Sequence, residues 1–230
     1  MTVVLVHSPF LGPASLRPLA DAVIARGVAA VAPQIVPNVL NPPVHQQLIG
    51  TFADAMADEE IDPPLVLVGH SGIGALLPAL ADELDTAVIC LVHLDAVLPS
   101  PGLSWRDTAP PELYSRLRAM ARDGVLPPWP RWWDEADLAA LVPDAVLRER
   151  IVAEASEVPL GFLKEARPSV PWTGPVGYLA LSAAYHADRD TAAGLGWPVR
   201  TVDGTHLSAA TEPDLVATAL LDLLAELLPD

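Results

Sequence analysis

The sequence predicts an α/β fold, in which helices cover both faces of a mostly parallel, doubly wound sheet. Short and nearly continuous apolar runs, rich in β-branched residues, are typical of strands that are buried on both faces. Stretches with helical spacing of apolar residues separate these runs, which indicates crossover connections between parallel strands. The chain has 230 residues, of which 51% are hydrophobic, so one domain with a large core is expected.

Six segments are predicted as strands of this sheet. In chain order they are residues 2–6, 28–32, 65–68, 87–92, 176–181 and 199–203. Two crossovers and a last helix have apolar residues at three- and four-residue spacing, and this last helix is predicted to begin at Thr211. The apolar positions are Leu16, Leu19, Ala20, Val23 and Ile24 in the first helix, Val44, Leu48, Phe52 and Met56 in the second, and Val216, Leu220, Leu223 and Leu227 in the last.

The regular alternation is interrupted once, between the fourth and fifth predicted strands. Residues 99–174 are too many for a crossover and too apolar for a linker. We therefore expect a helical insertion over the C-terminal edge of the sheet, with residues 1–98 and 175–230 forming the core; an ordinary surface excursion is the alternative. Tryptophans of the insertion are predicted to line a substrate pocket: Trp105, Trp129, Trp132 and Trp133.

Composition excludes several classes of function. A net charge of −16 argues against binding to nucleic acids and to anionic membranes, and favours a small substrate that is neutral, cationic or largely apolar. Cys90 is the only cysteine, so an internal disulfide and a cysteine-built metal site are excluded. No stretch reads as a membrane span or signal peptide, and a cytoplasmic protein is expected. Twelve arginines against one lysine suggest a high-GC bacterial genome.

A serine lies where the third predicted strand turns into a helix. The sequence Gly69-His70-Ser71-Gly72 follows the apolar strand, as in a nucleophile elbow, which exposes the serine hydroxyl above the sheet edge. The G-x-S-x-G pattern has glycine two residues after the serine, where this chain has Ile73. A plain strand-to-helix turn is the alternative interpretation.

A serine nucleophile needs a base, and the base needs an acid to orient it. His206 follows the last predicted strand at the same sheet edge, so it is the best candidate for the base. Asp95 follows the fourth predicted strand and is the favoured acid, although a turn cap is another role for it. Asp188, which follows the fifth predicted strand at a greater distance, is the alternative acid.

These motifs resemble those of the α/β-hydrolase superfamily. The resemblance spans nearly the whole chain, from Val4-Leu5-Val6-His7 through Gly69-His70-Ser71 to Gly204-Thr205-His206. The family's usual N-terminal antiparallel strands are expected to be absent from this core of about six strands, because the sequence begins at the strand that bears the oxyanion loop. The resemblance implies a cap inserted at the Trp-rich stretch. In this family the acid commonly follows the strand after the insertion, where Asp188 lies. A subset carries it after the strand next to the nucleophile, which matches Asp95.

The same resemblance implies an oxyanion hole made by two N–H donors. Gly72, the residue after Ser71, can supply one. The loop that supplies the other reads His7-Ser8-Pro9-Phe10, and Pro9 has no N–H to donate. The second donor is therefore expected to be the N–H of Ser8 or Phe10, or the hydroxyl of Ser8.

Taken together, the residues predict a serine hydrolase that cleaves an ester, thioester or lactone of a small molecule without a cofactor. A lyase or cyclase that uses Ser71 and His206 as acid–base groups is one alternative, and a ligand-binding protein without activity is another. Histidine and carboxylate near the same edge could bind zinc, namely His7, His70, His93, Asp95 and His206. No metal is expected, because His7 and His70 match histidines that flank the two motifs of the family.

Overall fold

The structure, a computed structural model, describes residues 1–36, 40–59 and 61–229. Its centre is a six-stranded sheet with the order β2-β1-β3-β4-β7-β8, and every neighbouring pair is parallel. The sheet strands are β1 (Thr2–Val6), β2 (Ala29–Val31), β3 (Leu65–His70), β4 (Val88–Leu94), β7 (Val176–Ala180) and β8 (Val199–Thr201). A separate antiparallel pair consists of β5 (Val125–Leu126) and β6 (Val158–Pro159). The predicted parallel sheet is thereby confirmed.

Helices connect the strands and cover the sheet. The α-helices are α1 (Arg17–Ile24), α2 (Val44–Asp58), α3 (Leu77–Asp82), α4 (Trp105–Thr108), α5 (Pro111–Met120), α6 (Glu135–Leu141), α7 (Ala145–Glu154), α8 (His186–Gly194), α9 (Ser208–Thr211) and α10 (Pro213–Leu227). Short 3₁₀ helices occur at Pro13–Ser15, Ser71–Leu76, Trp129–Trp132, Leu160–Lys164 and Ala183–Tyr185. None of the helices in the described ranges is long and apolar enough to cross a membrane.

Alternate residues of the strands face two separate apolar layers. On β1, Val4 and Val6 pack in the layer that contains the buried face of α2, whereas Val3 and Leu5 pack in the layer that contains α1 and α10. All four side chains are fully buried. This burial on both faces explains why the strands are nearly continuous apolar runs in the sequence.

The start of the last helix is a correction to the sequence prediction. Thr211 does not open the final helix but ends α9, and α10 begins two residues later at Pro213. Proline has no backbone N–H and clashes with the preceding turn, so it ends one helix and is well suited to begin another. Pro78 has the same effect after the elbow, where α3 begins at Leu77 as a new helix after the 3₁₀ turn.

Residues 99–174 add no strand to the six-stranded sheet. They contain α4 to α7 and the small β5–β6 pair, and they pack against the core through apolar side chains such as Leu117, Leu126 and Phe162. A polar contact also fixes this segment, since the carboxylate of Glu154 accepts the N–H of Ala14 at 2.6 Å. The segment therefore lies against the loop that follows β1, beside the carboxyl ends of the strands.

Candidate active site

The backbone at Ser71 has the conformation expected of a sharp strand-to-helix turn. Ser71 directly follows β3 and has a φ of 63°, a left-handed conformation that is strained for a residue with a side chain. A β-carbon added at Gly74 would lie 2.6 Å from the carbonyl oxygen of Val97, so this position admits only glycine without a shift of the backbone. Ile73 is fully buried. The close approach thus occurs one residue later than the G-x-S-x-G pattern places it.

Asp95 and His206 form a hydrogen-bonded pair at the carboxyl ends of the strands. His206 Nδ1 lies 2.7 Å from Asp95 Oδ2, and Asp95 is completely buried. The carboxylate also accepts the N–H groups of Leu181 and Ser182 and the Ser182 hydroxyl. Burial alone would raise the pKa of Asp95, but the hydrogen bonds from His206, Ser182 and Leu181 outweigh it and lower the pKa. Asp95 is therefore held as a carboxylate.

Asp188 has a different partner. Its Oδ1 accepts the N–H of Leu98 at 3.1 Å, just beyond the end of β4, and it makes no hydrogen bond to His206 among the described residues. Burial raises the pKa of Asp188. Of the two acids that the sequence left open, the structure brings Asp95 together with His206.

The imidazole of His206 is held between two other rings. His70 stacks on it at a centroid distance of 4.4 Å, and Tyr185 stacks at 4.9 Å with an interplanar angle of 15°. His70 Nε2 also donates to the carbonyl oxygen of His206 at 2.9 Å. Burial, with the nearby His206, lowers the pKa of His70 to about 3, so His70 is neutral at ordinary pH. These contacts fix both the ring and the backbone of His206.

Tyr185 is the residue at this site that the sequence analysis missed. Its hydroxyl lies 3.0 Å from Ser71 Oγ, and within the described ranges Ser71 makes no hydrogen bond to His206. Hydrogen bonds between a nucleophile and its base are often long in ligand-free enzymes and shorten when substrate binds. Tyr185 follows β7 at the carboxyl edge, so the strand-end rule that singled out Asp188 would have found it too.

The loop after β1 lies beside the elbow. The N–H of Phe10 donates to the hydroxyl oxygen of Ser8 at 3.3 Å. A β-carbon added at Gly72 would lie 3.8 Å from Ser8 Oγ, which shows how close the loop and the elbow are. The Phe10 N–H therefore has an acceptor within the loop, while Ser8 lines the same cavity as Ser71 and Gly72.

A cavity of about 250 Å³ joins these groups to the tryptophans. Ser71, Gly72, Ser8 and His206 line this cavity, together with several aromatic side chains. Its lining from the helical segment and the β1 loop includes Phe10, Trp105, Leu113, Arg116, Leu117, Trp129, Trp132, Trp133 and Leu141. The four tryptophans that the sequence analysis assigned to a pocket are thus all in its wall.

Two further histidines and the cysteine are buried, with His7 bonded to the Ser8 carbonyl oxygen and His93 beside Gly74. His7 is buried and bonded to Gln34, and His93 packs against Trp197. No group of three or more His, Cys, Asp or Glu side chains in the described part of the chain could hold a metal ion. Burial raises the pKa of the Cys90 thiol to about 12, so this cysteine is not activated.

Solved structures share this architecture over nearly the full length of both chains. An extracellular α/β-hydrolase from a Paenibacillus species, described as similar to tobacco salicylic acid binding protein 2, has 20% identity and a TM-score of 0.75, with complete coverage of both chains. Tomato methylketone synthase I, solved with 2-tridecanone, has 16% identity and a TM-score of 0.72, covering 99% of this chain and 98% of that one.

A pyrethroid hydrolase from Sphingobium faniae JZ-2 has 18% identity and a TM-score of 0.69, with 96% of each chain covered. No protein-family model and no curated protein matches the sequence. Identities this low establish a shared fold, while the reaction has to be argued from the side chains.

Proposed function

We propose that this chain, which has the α/β-hydrolase fold, is a serine hydrolase that cleaves a carboxylic ester, thioester or lactone through an acyl-enzyme on Ser71. One observation carries the proposal. His206, which is hydrogen-bonded to the buried Asp95, lines the same cavity as Ser71, and Ser71 has a strained φ of 63° at the strand end. Several neighbours in structure are named as hydrolases or esterases, which supports this class of reaction.

In the proposed first step, Ser71 Oγ adds to the substrate carbonyl carbon. His206 Nδ1 keeps its proton on the side of the Asp95 carboxylate, so the lone pair of Nε2 accepts the proton of Ser71. The bond between the carbonyl carbon and the leaving oxygen or sulfur then breaks, and His206 returns the proton to the leaving group. Water repeats the sequence on the acyl-enzyme and releases the carboxylic acid.

The negative charge on the carbonyl oxygen needs hydrogen-bond donors. We assign this role to the N–H of Gly72 and the hydroxyl of Ser8, whose oxygen already accepts the N–H of Phe10. One such donor is worth roughly 3 kcal/mol of transition-state stabilisation. A hydroxyl takes the place of the backbone N–H that Pro9 lacks.

The cavity favours a largely apolar small molecule. Among the described residues, its wall contains four tryptophans, one arginine, Arg116, and no carboxylate. The net negative charge of the chain is therefore not found in the wall of this cavity. In this proposal residues 99–174 form a cap that binds the acyl or alkyl group and keeps water away, while residues 1–98 and 175–230 carry the chemistry. A cytoplasmic location stays a prediction, which cell fractionation would test.

A lyase or cyclase on the same fold is the second candidate. The observation that favours it is the hydrogen bond of Ser71 to Tyr185 in place of one to His206. In such a reaction Ser71 and His206 would move protons without a covalent intermediate. The two candidates differ in whether an acyl group is ever attached to Ser71.

The test is acylation of the purified protein. We expect p-nitrophenyl esters, tried from acetyl to decanoyl, to be hydrolysed, and a fluorophosphonate to label Ser71. Ser71→Ala should lose both reactions, whereas Ser100→Ala, which alters a serine near the end of β4, should keep them. A wild-type protein that forms no acyl-enzyme with any ester, or undiminished turnover by Ser71→Ala, would refute the hydrolase proposal.

A further inference from the structure

Tyr185 places a hydroxyl group 3.0 Å from Ser71 Oγ, the atom to which the proposed acyl group is attached. We propose that Tyr185 is a further catalytic residue, whose phenol donates a hydrogen bond to Ser71 Oγ and stabilises the charge that develops there as the acyl-enzyme is hydrolysed. This inference rests on the proposed function. It concerns deacylation, the step in which water hydrolyses the acyl-enzyme.

The proposed direction of this hydrogen bond, with Tyr185 as the donor, rests on the partners of His206. Asp95 holds the proton of His206 on Nδ1, which leaves Nε2 as an acceptor for the Ser71 proton. Once the Ser71 hydroxyl donates to Nε2, its oxygen is free to accept from Tyr185. Burial raises the pKa of Tyr185, so its hydroxyl stays protonated and can serve as a donor throughout the pH range of the reaction.

The ring of Tyr185 is fixed in this position. One of its faces packs on His206 with an interplanar angle of 15°, and His206 is supported from its other side by His70 at 4.4 Å. The three rings form a stack beside Ser71. Because the stack restricts the ring, the hydroxyl is positioned before the substrate arrives, which is the condition for effective electrostatic stabilisation.

The chemistry of the acyl-enzyme explains why the hydrogen bond from Tyr185 should accelerate deacylation most. In the acyl-enzyme, Ser71 Oγ is an ester oxygen and accepts hydrogen bonds poorly. When water adds to the acyl carbon, Oγ loses its ester resonance and gains electron density. The bond between the carbon and Oγ then breaks, the proton on His206 Nε2 passes to Oγ, and the carboxylic acid leaves. The hydrogen bond from Tyr185 strengthens along this path.

The Tyr185 hydroxyl should accelerate acylation less. In the free enzyme the hydrogen bond between Tyr185 and Ser71 is already present, and an interaction made equally in the ground state does not lower the barrier. The loss of the hydroxyl should therefore slow deacylation more than acylation. A merely structural role for Tyr185 would slow both steps alike, because it would act through the position of His206.

The experiment uses Tyr185→Phe, which keeps the ring and its stacking and removes only the hydroxyl. The burst of p-nitrophenol in stopped flow reports acylation, and the following steady rate reports deacylation. We expect the burst rate to stay within about threefold and the steady rate to fall about tenfold, the factor for one hydrogen bond of 1.4 kcal/mol. Intact-mass analysis should then show more acyl-enzyme than in the wild type.

Tyr114→Phe is the matched control, since Tyr114 is a tyrosine of α5 that packs near Arg106 and is not part of the cavity wall. An unchanged thermal midpoint establishes that each variant is folded. A steady rate within about twofold of wild type would overturn the role of Tyr185, as would equal losses in burst and steady rate. Both outcomes leave the acyl-enzyme on Ser71 intact, so they are distinct from failure of the proposed function.

Discussion

Asp95 and His206 are 111 residues apart in the chain, yet a hydrogen bond of 2.7 Å joins their side chains. Asp95 follows β4 and His206 follows β8, with β7 between the two strands in the sheet. The bond therefore spans two strand spacings. Asp95 reaches across by way of a left-handed backbone conformation, with a φ of 43°, and by its bonds to the residues after β7.

This relationship predicts unequal effects for the two candidate acids. Asp95→Asn should lower kcat by a factor on the order of 10³ to 10⁴, because the amide cannot hold His206 in the required tautomer. Asp188→Asn is the control, since its side-chain oxygen can still accept the N–H of Leu98. Steady-state kinetics on one p-nitrophenyl ester would measure both. A larger loss for Asp188→Asn would assign the acid to Asp188 instead.

The Ser8 hydroxyl is predicted to contribute to the rate more than to substrate binding. Ser8→Ala should reduce kcat about 100-fold with little change in KM, because an oxyanion donor acts mainly in the transition state. Ser15→Ala is a suitable control, since Ser15 is a buried serine nearby whose hydroxyl bonds to the Gly12 carbonyl. If Ser8→Ala keeps kcat within about twofold, a different group is the second donor.

Two glycines of the elbow should respond very differently to alanine. At Gly74 a methyl group would meet the Val97 carbonyl oxygen at 2.6 Å and the Ala96 β-carbon at 2.7 Å. At Gly72 the nearest neighbours would be 3.8 Å away. We expect Gly74→Ala to lower the free energy of unfolding by about 1–3 kcal/mol, and Gly72→Ala to change it much less. Urea denaturation would measure both; equal effects would contradict the close approach at Gly74.

Buried neutral histidines predict a loss of stability in mild acid. Burial lowers the pKa of His93 to about 4, so between pH 6.5 and 4 the unfolded chain binds a proton at this residue and the folded chain does not. Stability should therefore fall as the pH decreases through this window, by at most about 1.4 kcal/mol per pH unit for each such histidine. His7 and His70 act in the same direction.

Replacing His93 by glutamine tests this pH dependence. The free energy of unfolding of His93→Gln, measured in urea at several pH values between 6.5 and 4.5, should depend less steeply on pH than that of the wild type. His186→Gln, at an exposed position, is the control and should keep the wild-type slope. The same slope in all three proteins would mean that His93 is not a source of the acid sensitivity.

The sheet and its edge could be predicted from the sequence because each depends on local patterns. Apolar runs mark buried strands, and parallel strands bring their carboxyl ends together, so Ser71, Asp95 and His206 could be expected at one edge. The final helix was predicted less well. Thr211 has the composition of a helix start, but Pro213 divides the segment into two helices.

The choice between the acids and the role of Tyr185 depend on contacts that have no local pattern. Which acid reaches His206 is decided by the left-handed turn at Asp95 and by the N–H of Leu98, which occupies Asp188. Tyr185 ends a 3₁₀ turn directly before α8, and its hydroxyl lies beside Ser71. The sequence places Tyr185 after a strand, but nothing in the local sequence predicts that its ring stacks on a histidine from another loop.

The segment between β4 and β7 enters and leaves the core at two neighbouring strands. One uninterrupted piece of chain therefore supplies Trp105, Trp129 and Trp132 to the cavity wall, while Ser71 and His206 come from outside it. Recombination at only two chain positions would exchange much of the wall and preserve the groups proposed to react. For protein engineering, libraries confined to this piece would vary what fits the pocket on a constant chemical framework.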